Sequence, residues 1–244
     1  MKTVAIIQAR MGSTRLPGKV LLPIGESNAI QMIVDKCNAH QLIDEVVIAT
    51  TENEKDKQIQ TYCIENDIEF YVGSEENVLE RVYKAAKEYR ADIVIDITAD
   101  CPFIDLSDLN AYIPPISFNI YDYVSNVVDR TFPDGLDLQV YGFKALKNLE
   151  TMLSDSNSYR QHAGWNFTRF PDHFKTLNVH AEGDLNWPEL RITLDTAEDY
   201  AVITLINSWI GRDATPTQIV DFMKKNPSVL RINQAVIAKE PGEL

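Results

Sequence analysis

Short apolar runs rich in β-branched residues recur along the first hundred positions. Each is long enough for a buried strand and too short for a core helix. They cover residues 3–7, 45–49, 69–72 and 92–97. Between them the pattern changes to helical periodicity. Ile30, Ile33, Val34 and Cys37 share one stripe over residues 30–37, and Val78, Val82, Ala85, Ala86 and Tyr89 share another over 78–89. Residues 54–65 behave similarly. Strand and helix alternating at this spacing predict parallel strands joined by right-handed crossovers, hence an open, mostly parallel, Rossmann-like α/β sheet. Ligands of such sheets bind outside the carboxyl ends of the strands. The loops starting at Gln8, Thr50, Gly73 and Thr98 would then share one edge.

The second half is less regular. Pro114-Pro115 reads as a break in the chain. Residues 121–125 and 136–141 predict strands on either side of a polar loop at 129–135. Helices are expected at 143–153 and 156–168, strands near 174–179 and 190–193, and helices at 197–209 and 216–224. We expect one α/β domain over residues 1–225, with a second-half insertion at about 126–180, and a tail at 226–244. No internal repeat is visible.

Composition narrows the function classes. The 244 residues carry 23 Lys and Arg against 36 Asp and Glu, a net charge of -13. An acidic surface of that size repels phosphate polymers and anionic lipid, so neither nucleic acid nor a membrane surface is an expected partner. The cysteines, Cys37, Cys63 and Cys101, are too scattered for a disulfide framework or a zinc site and suit a reducing compartment. The first ten residues meet Gln8 and Arg10 too early for a signal peptide. No stretch approaches the roughly 18 apolar residues of a membrane span. A cytoplasmic location is the expectation. The charge is unevenly placed, however. Residues 1–25 hold Lys2, Arg10, Arg15 and Lys19 and no acid, so the whole acidic excess lies beyond Gly25.

That cationic stretch contains QARMGSTRLPGK at 8–19, directly after the first expected strand. Its glycines allow close backbone approach to a ligand, and its small residues leave amides free to donate. Two arginines and a lysine match phosphate. It is not a P-loop: five residues separate Gly12 from Gly18 where four are needed, and Val20 follows Lys19 where Ser or Thr is needed. A G-x-G-x-x-G fingerprint is also absent.

The segment resembles the signature loop of the cytidylyltransferases that make CMP-activated acidic sugars, among them the CMP-Kdo synthetases and acylneuraminate cytidylyltransferases. The likeness is greatest to the spore coat polysaccharide biosynthesis protein SpsF group. It continues through VVIATTENE at 46–54, GSEENVLERVYKAA at 73–86, DITADCPFID at 96–105, DYVSN at 122–126, TFPDGLDLQVY at 131–141 and LDTAEDY at 194–200. The resemblance implies the nucleotidyltransferase (GT-A-like) type of sheet, with a smaller second-half subdomain for sugar binding and dimerisation. It implies transfer of CMP from CTP to an acidic sugar, with release of pyrophosphate, in a homodimer.

By the same resemblance the CTP site comprises Ala9, Arg10, Gly12, Ser13, Thr14, Arg15, Lys19, Ser74, Arg81 and Thr98, with Arg10, Lys19 and Asp100 catalytic. Nucleotidyl transfer needs a divalent cation to offset charge on the phosphates, and Mg²⁺ wants a few hard carboxylate oxygens. The resemblance gives that role to Asp100 and Asp195. Asp134, Gln139, Tyr159, Arg160 and His162 fall to the sugar side, Arg160 as the partner of the sugar carboxylate. Plainer readings stand beside these. Asp195 could belong to the cap of the helix from Ala197, Asp100 to a turn, Arg81 to a solvated helix face and His162 to the core. Glu198 and Asp199 read as first-turn acids complementing the helix dipole. Sialic-acid enzymes of this superfamily carry a second aspartate where this chain has Ala197. The rival readings are a nucleotidyltransferase using another NTP or a sugar phosphate, a silent nucleotide-binding protein, and a glycosyltransferase. No two aspartates lie two positions apart, which removes the Asp-x-Asp pair typical of the last.

Overall fold

The computed structural model describes residues 1–154 and 158–237. Four strands occupy the first hundred residues: β1 (Thr3–Gln8), β2 (Glu45–Thr51), β3 (Glu69–Gly73) and β4 (Ile93–Thr98). Helices α1 (Ala29–Asn38), α2 (Lys57–Glu65), α3 (Val78–Glu88) and α4 (Leu109–Ser117) follow them in turn. The second half adds β5 (Tyr123–Ser125), β6 (Gln139–Gly142), α5 (Phe143–Met152), β7 (Thr176–Asn178), α6 (Ala197–Ile210), α7 (Pro216–Lys225) and α8 (Pro227–Leu230).

All seven strands form one sheet in the order β3-β2-β1-β4-β6-β5-β7. β1 pairs parallel with β2 and β4, β2 with β3, and β5 with β7. β6 is antiparallel to both its neighbours. The sheet is therefore open and mostly parallel, as expected. Both faces are covered, which is why the first strands read as unbroken apolar runs. Ala5 and Ile7 of β1 pack with α1 and α4, while Val4 and Ile6 pack with Leu79, Val82 and Leu146 of α3 and α5. Helices α6 and α7 build a third apolar cluster with Ile24, Met32 and Phe103. The three cysteines are free and buried, and no described helix is long and apolar enough to cross a membrane.

Three local expectations need correction. Pro114-Pro115 does not break the chain but lies inside α4. The helix has only nine residues, and its buried face of Leu109, Tyr112, Ile113 and Ile116 holds it in place. Residues 158–169 are not one helix but two short 3-10 segments, Ser158–Gln161 and Gly164–Arg169, and residues 156–157 of that expectation lie outside the described residues. The strand expected at 190–193 is reduced to a single bridge between Asp134 and Arg191.

Gly135 sets that bridge. Its φ is 111°, and an added Cβ would lie 2.5 Å from the Thr193 nitrogen and 2.6 Å from the Ile192 carbonyl carbon. Both the dihedral and the backbone contact exclude a side chain. Gly135→Ala should lower stability by about 3 kcal/mol, read by urea denaturation. A loss under about 1 kcal/mol would show that the turn can relax.

Candidate active site

β1 lies between β2, reached next in the chain, and β4, which returns on its other side. This switch point opens a crevice at the carboxyl ends of β1 and β4. A cavity of about 520 Å³ occupies it, lined by Gln8, Ala9 and Arg10 after β1 and by Thr98, Ala99 and Asp100 after β4.

The loop after β1 is held open by a few specific contacts. Asp56, only 1% exposed, accepts the Met11 N–H at 2.6 Å and the Thr51 hydroxyl. Gly18 turns back at φ 71° and donates its N–H to the Met11 carbonyl at 3.1 Å. Between these pins the backbone amides of residues 12–15 have no acceptor among the described residues. They stand at the cavity wall with Gly12, Ser13, Thr14 and Arg15. An array of unpaired amides beside cations is suited to an anion.

The charged end of the cavity centres on Lys19, which begins a short 3-10 turn (Lys19–Leu21) and is 9% exposed. Its ammonium donates to Asp100 Oδ2 and Asp195 Oδ1, each at 2.7 Å. Burial opposes its charge, but the two carboxylates outweigh burial and raise its pKa. Asp195 also accepts from Arg191 at 2.8 Å and pairs with Arg15 at 2.9 Å. Burial alone would raise its pKa; Lys19, Arg191 and Arg15 instead hold it at about 2. Two carboxylate oxygens thus converge on one cationic point. That donor set fits a hard divalent cation that keeps water and substrate phosphates as its other ligands. No cluster of three or more metal-ligating side chains exists among the described residues.

Away from Lys19 the lining includes Glu75, Glu76, Val78 and Arg81. Arg81, 4% exposed, reaches from α3 to donate to the Ser74 carbonyl at 2.5 Å, while its Nε is buried without a partner. Burial lowers its pKa to about 10. Gln8 donates through Nε2 to Asp96 Oδ1 at 2.5 Å, and Tyr141 donates to Asp96 Oδ2 at 2.9 Å. Burial pushes the Asp96 carboxyl up, against the donors Gln8, Tyr141 and the Gly164 N–H.

The sequence profile described as Cytidylyltransferase matches residues 4–203. The chain belongs to the cytidylyltransferase family. A cytidylyltransferase structure from Leptospira borgpetersenii superposes with a TM-score of 0.86 at 29% identity, covering 98% of this chain and 100% of that one. The spore coat polysaccharide biosynthesis protein SpsF of Bacillus subtilis is 29% identical over 238 residues, 94% of this chain and 97% of that protein. A 3-deoxy-manno-octulosonate cytidylyltransferase of Geobacter sulfurreducens is 28% identical over 119 residues, 49% of this chain and 47% of that protein.

In this member of the family the nucleotide-side expectations and the sugar-side expectations are placed differently. Ala9, Arg10, Gly12, Ser13, Thr14, Arg15, Lys19, Arg81, Thr98, Asp100 and Asp195 all line the one cavity. Ser74 contributes its carbonyl to Arg81. Of the sugar-side set, only His162 lines it, together with Gln161. Burial and the neighbouring Arg169 lower the His162 pKa, so the ring is neutral at neutral pH.

Arg160 is turned away. It is 3% exposed and donates to the Glu150 carboxylate, the Glu150 and Leu153 carbonyls and Asn77 Oδ1. These contacts bind the segment to α3 and α5 and leave the cavity to other residues. Gln139 accepts the Tyr123 hydroxyl at 2.8 Å beside Gly164, and Asp134 pairs with Arg191 at 2.5 Å. Tyr159 lies under the Arg169 guanidinium, 4.4 Å from the ring centroid.

Several residues were not singled out from the sequence. Asp56 pins the loop after β1, Asp96 fixes Gln8, and Arg169 has a buried, unpartnered Nε beside His162. Arg191 joins Asp134, Asp195 and Asp199, and Asn233 donates to Asp199 at 2.9 Å. Asp199 does complete the capping box of α6 with Thr196, as its first-turn position suggests. Only the arginine pairing escaped.

Proposed function

We propose that this chain transfers CMP from CTP to the anomeric hydroxyl of an acidic sugar, of the nonulosonic or Kdo type, releasing pyrophosphate for surface polysaccharide synthesis. The observation that carries the reading is the convergence of Lys19, Asp100 and Asp195 beside a loop of unpaired amides in a member of this family.

The roles follow from charge and position. Lys19 and Arg10 hold the triphosphate, with Arg15 assisting and the amides of residues 12–15 donating to its oxygens. These donors are preorganised, so they favour the charge that develops on the phosphates without reorganisation. Mg²⁺, where bound, would be held by Asp100 and Asp195 and would supply charge neutralisation at the phosphates. The sugar hydroxyl attacks the α-phosphorus in line, and the chain's contribution is mainly to orient the two reactants. His162, which lines the cavity, rather than Arg160 is the side chain we assign to the acceptor carboxylate.

Incubation with CTP, Mg²⁺ and a panel of 2-keto-3-deoxy sugar acids should release pyrophosphate with at least one sugar and with CTP only. Release with a sugar phosphate and another NTP would point to the sister nucleotidyltransferase chemistry. CTP binding without release from any acceptor would mark a silent nucleotide-binding protein and overturn the reading.

A further inference from the structure

We propose that Gln8 reads the nucleobase: its Oε1 accepts the exocyclic amine of cytosine, and Asp96 with Tyr141 is the positioning pair that points the carboxamide that way. The inference rests on the reading of the cavity as a CTP site and extends it to the choice of base.

A carboxamide is chemically two-faced and can be rotated to offer either donors or an acceptor. Here one face is committed. Gln8 is the last residue of β1 and Asp96 lies on the adjacent β4. Asp96 is 2% exposed and receives Gln8 Nε2 at 2.5 Å, the Tyr141 hydroxyl at 2.9 Å and the Gly164 N–H. Three donors arriving on one buried group is the pattern of a carboxylate, which only accepts. The NH₂ of Gln8 must therefore face inward, and Oε1 becomes its outward atom. No described residue donates to Oε1, and it is not among the buried atoms without a partner. It is an acceptor facing the cavity that Gln8 lines.

The position of this acceptor selects its partner. Triphosphate oxygens are acceptors, so Oε1 cannot serve them. Their place is the end with Lys19 and Arg15. The cavity that Gln8 lines includes the neutral residues Ala9, Val78, Thr98 and Ala99, which can take a flat ring, as well as the charged Glu75, Glu76 and Arg81. Cytosine presents an amine donor at its fourth carbon, where uracil presents a carbonyl acceptor. A fixed acceptor pairs with the first and opposes the second. Leaving a desolvated oxygen against another oxygen costs on the order of ten- to a hundredfold in affinity.

Titration calorimetry of the full chain with CTP and UTP tests this. Wild type should bind CTP at least about tenfold more tightly than UTP. Gln8→Met, close in volume but without the acceptor, should lower that ratio about tenfold or more. Asp96→Asn frees the carboxamide to turn and should move the ratio in the same direction, although residue 96 touches no ligand. A merely structural role would weaken both nucleotides alike. Circular dichroism and Tm confirm folding, and Tyr141→Phe is the further variant should Gln8→Met not fold. A folded Gln8→Met with an unchanged ratio overturns the inference and leaves the CTP reading intact. So does an unchanged ratio with a raised KM for the sugar, which would assign Oε1 to a hydroxyl. Wild type that binds no nucleotide overturns the CTP reading and this inference with it.

Discussion

We expect Lys19→Ala to lower pyrophosphate release by about three orders of magnitude while the protein stays folded. The estimate follows from preorganised donors at developing phosphate charge, whose removal costs roughly 10²–10³ singly and more where a full cation is lost. Lys19 is not a solvated surface cation. It is buried, and both of its contacts are to carboxylates at 2.7 Å. Its removal leaves Asp100 and Asp195 facing one point with no ammonium between them. Arg191 and Arg15 still neutralise Asp195, at 2.8 and 2.9 Å, so the repulsion is partly answered locally. A loss of about 1 kcal/mol, or roughly 2–4 °C in Tm, is expected for a chain of this size. Single-turnover release of pyrophosphate and thermal melting separate the two effects. Turnover within tenfold of wild type would remove Lys19 from the chemistry.

What the sequence made legible depended on range. Strands β1 to β4 and helices α1 to α3 announce themselves because each is stabilised by its own apolar pattern. The loop after β1 is also local, with its cations and glycines within twelve consecutive positions. Helix α4 was hidden because two prolines remove two N–H donors. The prolines' own carbonyls still accept at the helix end, from Phe118 and Ile120 respectively. Residues 158–169 do not form one helix, and Gly164 sits against Gln139 and Tyr123, where an added Cβ would meet the Gln139 Oε1 and require that side chain to move. That close approach belongs to the sheet, and no local rule reports it. Arg160 illustrates the same limit in the site. Its charge suited a carboxylate ligand, but Glu150 from α5 already supplies one at 2.9 Å.

Arg191 is the furthest from local signals, and its loss should have the largest effect on stability. Its guanidinium meets Asp134, 57 positions away, at 2.5 Å, and Asp195 and Asp199 at 2.8 and 2.9 Å. Asp199 is 0% exposed and shares the arginine with Asn233, which also donates to the Arg191 carbonyl at 3.0 Å. Arg191→Leu would leave a fully buried carboxylate without its counter-charge. Breaking a buried pair in this way typically costs about 3–5 kcal/mol, so urea denaturation should show a loss of that order. Asp199 also accepts the Asp195 and Thr196 amides at 3.2 and 3.0 Å, so its displacement would also disturb the start of α6. The loss is a property of the orphaned charge rather than of the bond itself, and a double variant shows it. Arg191→Leu with Asp199→Asn should be closer to wild type in stability than Arg191→Leu alone, because no ion remains buried. Additive losses would mean that the arginine stabilises chiefly by packing. The double variant should still be a poor catalyst, since Asp195 has lost the guanidinium that holds it toward Lys19.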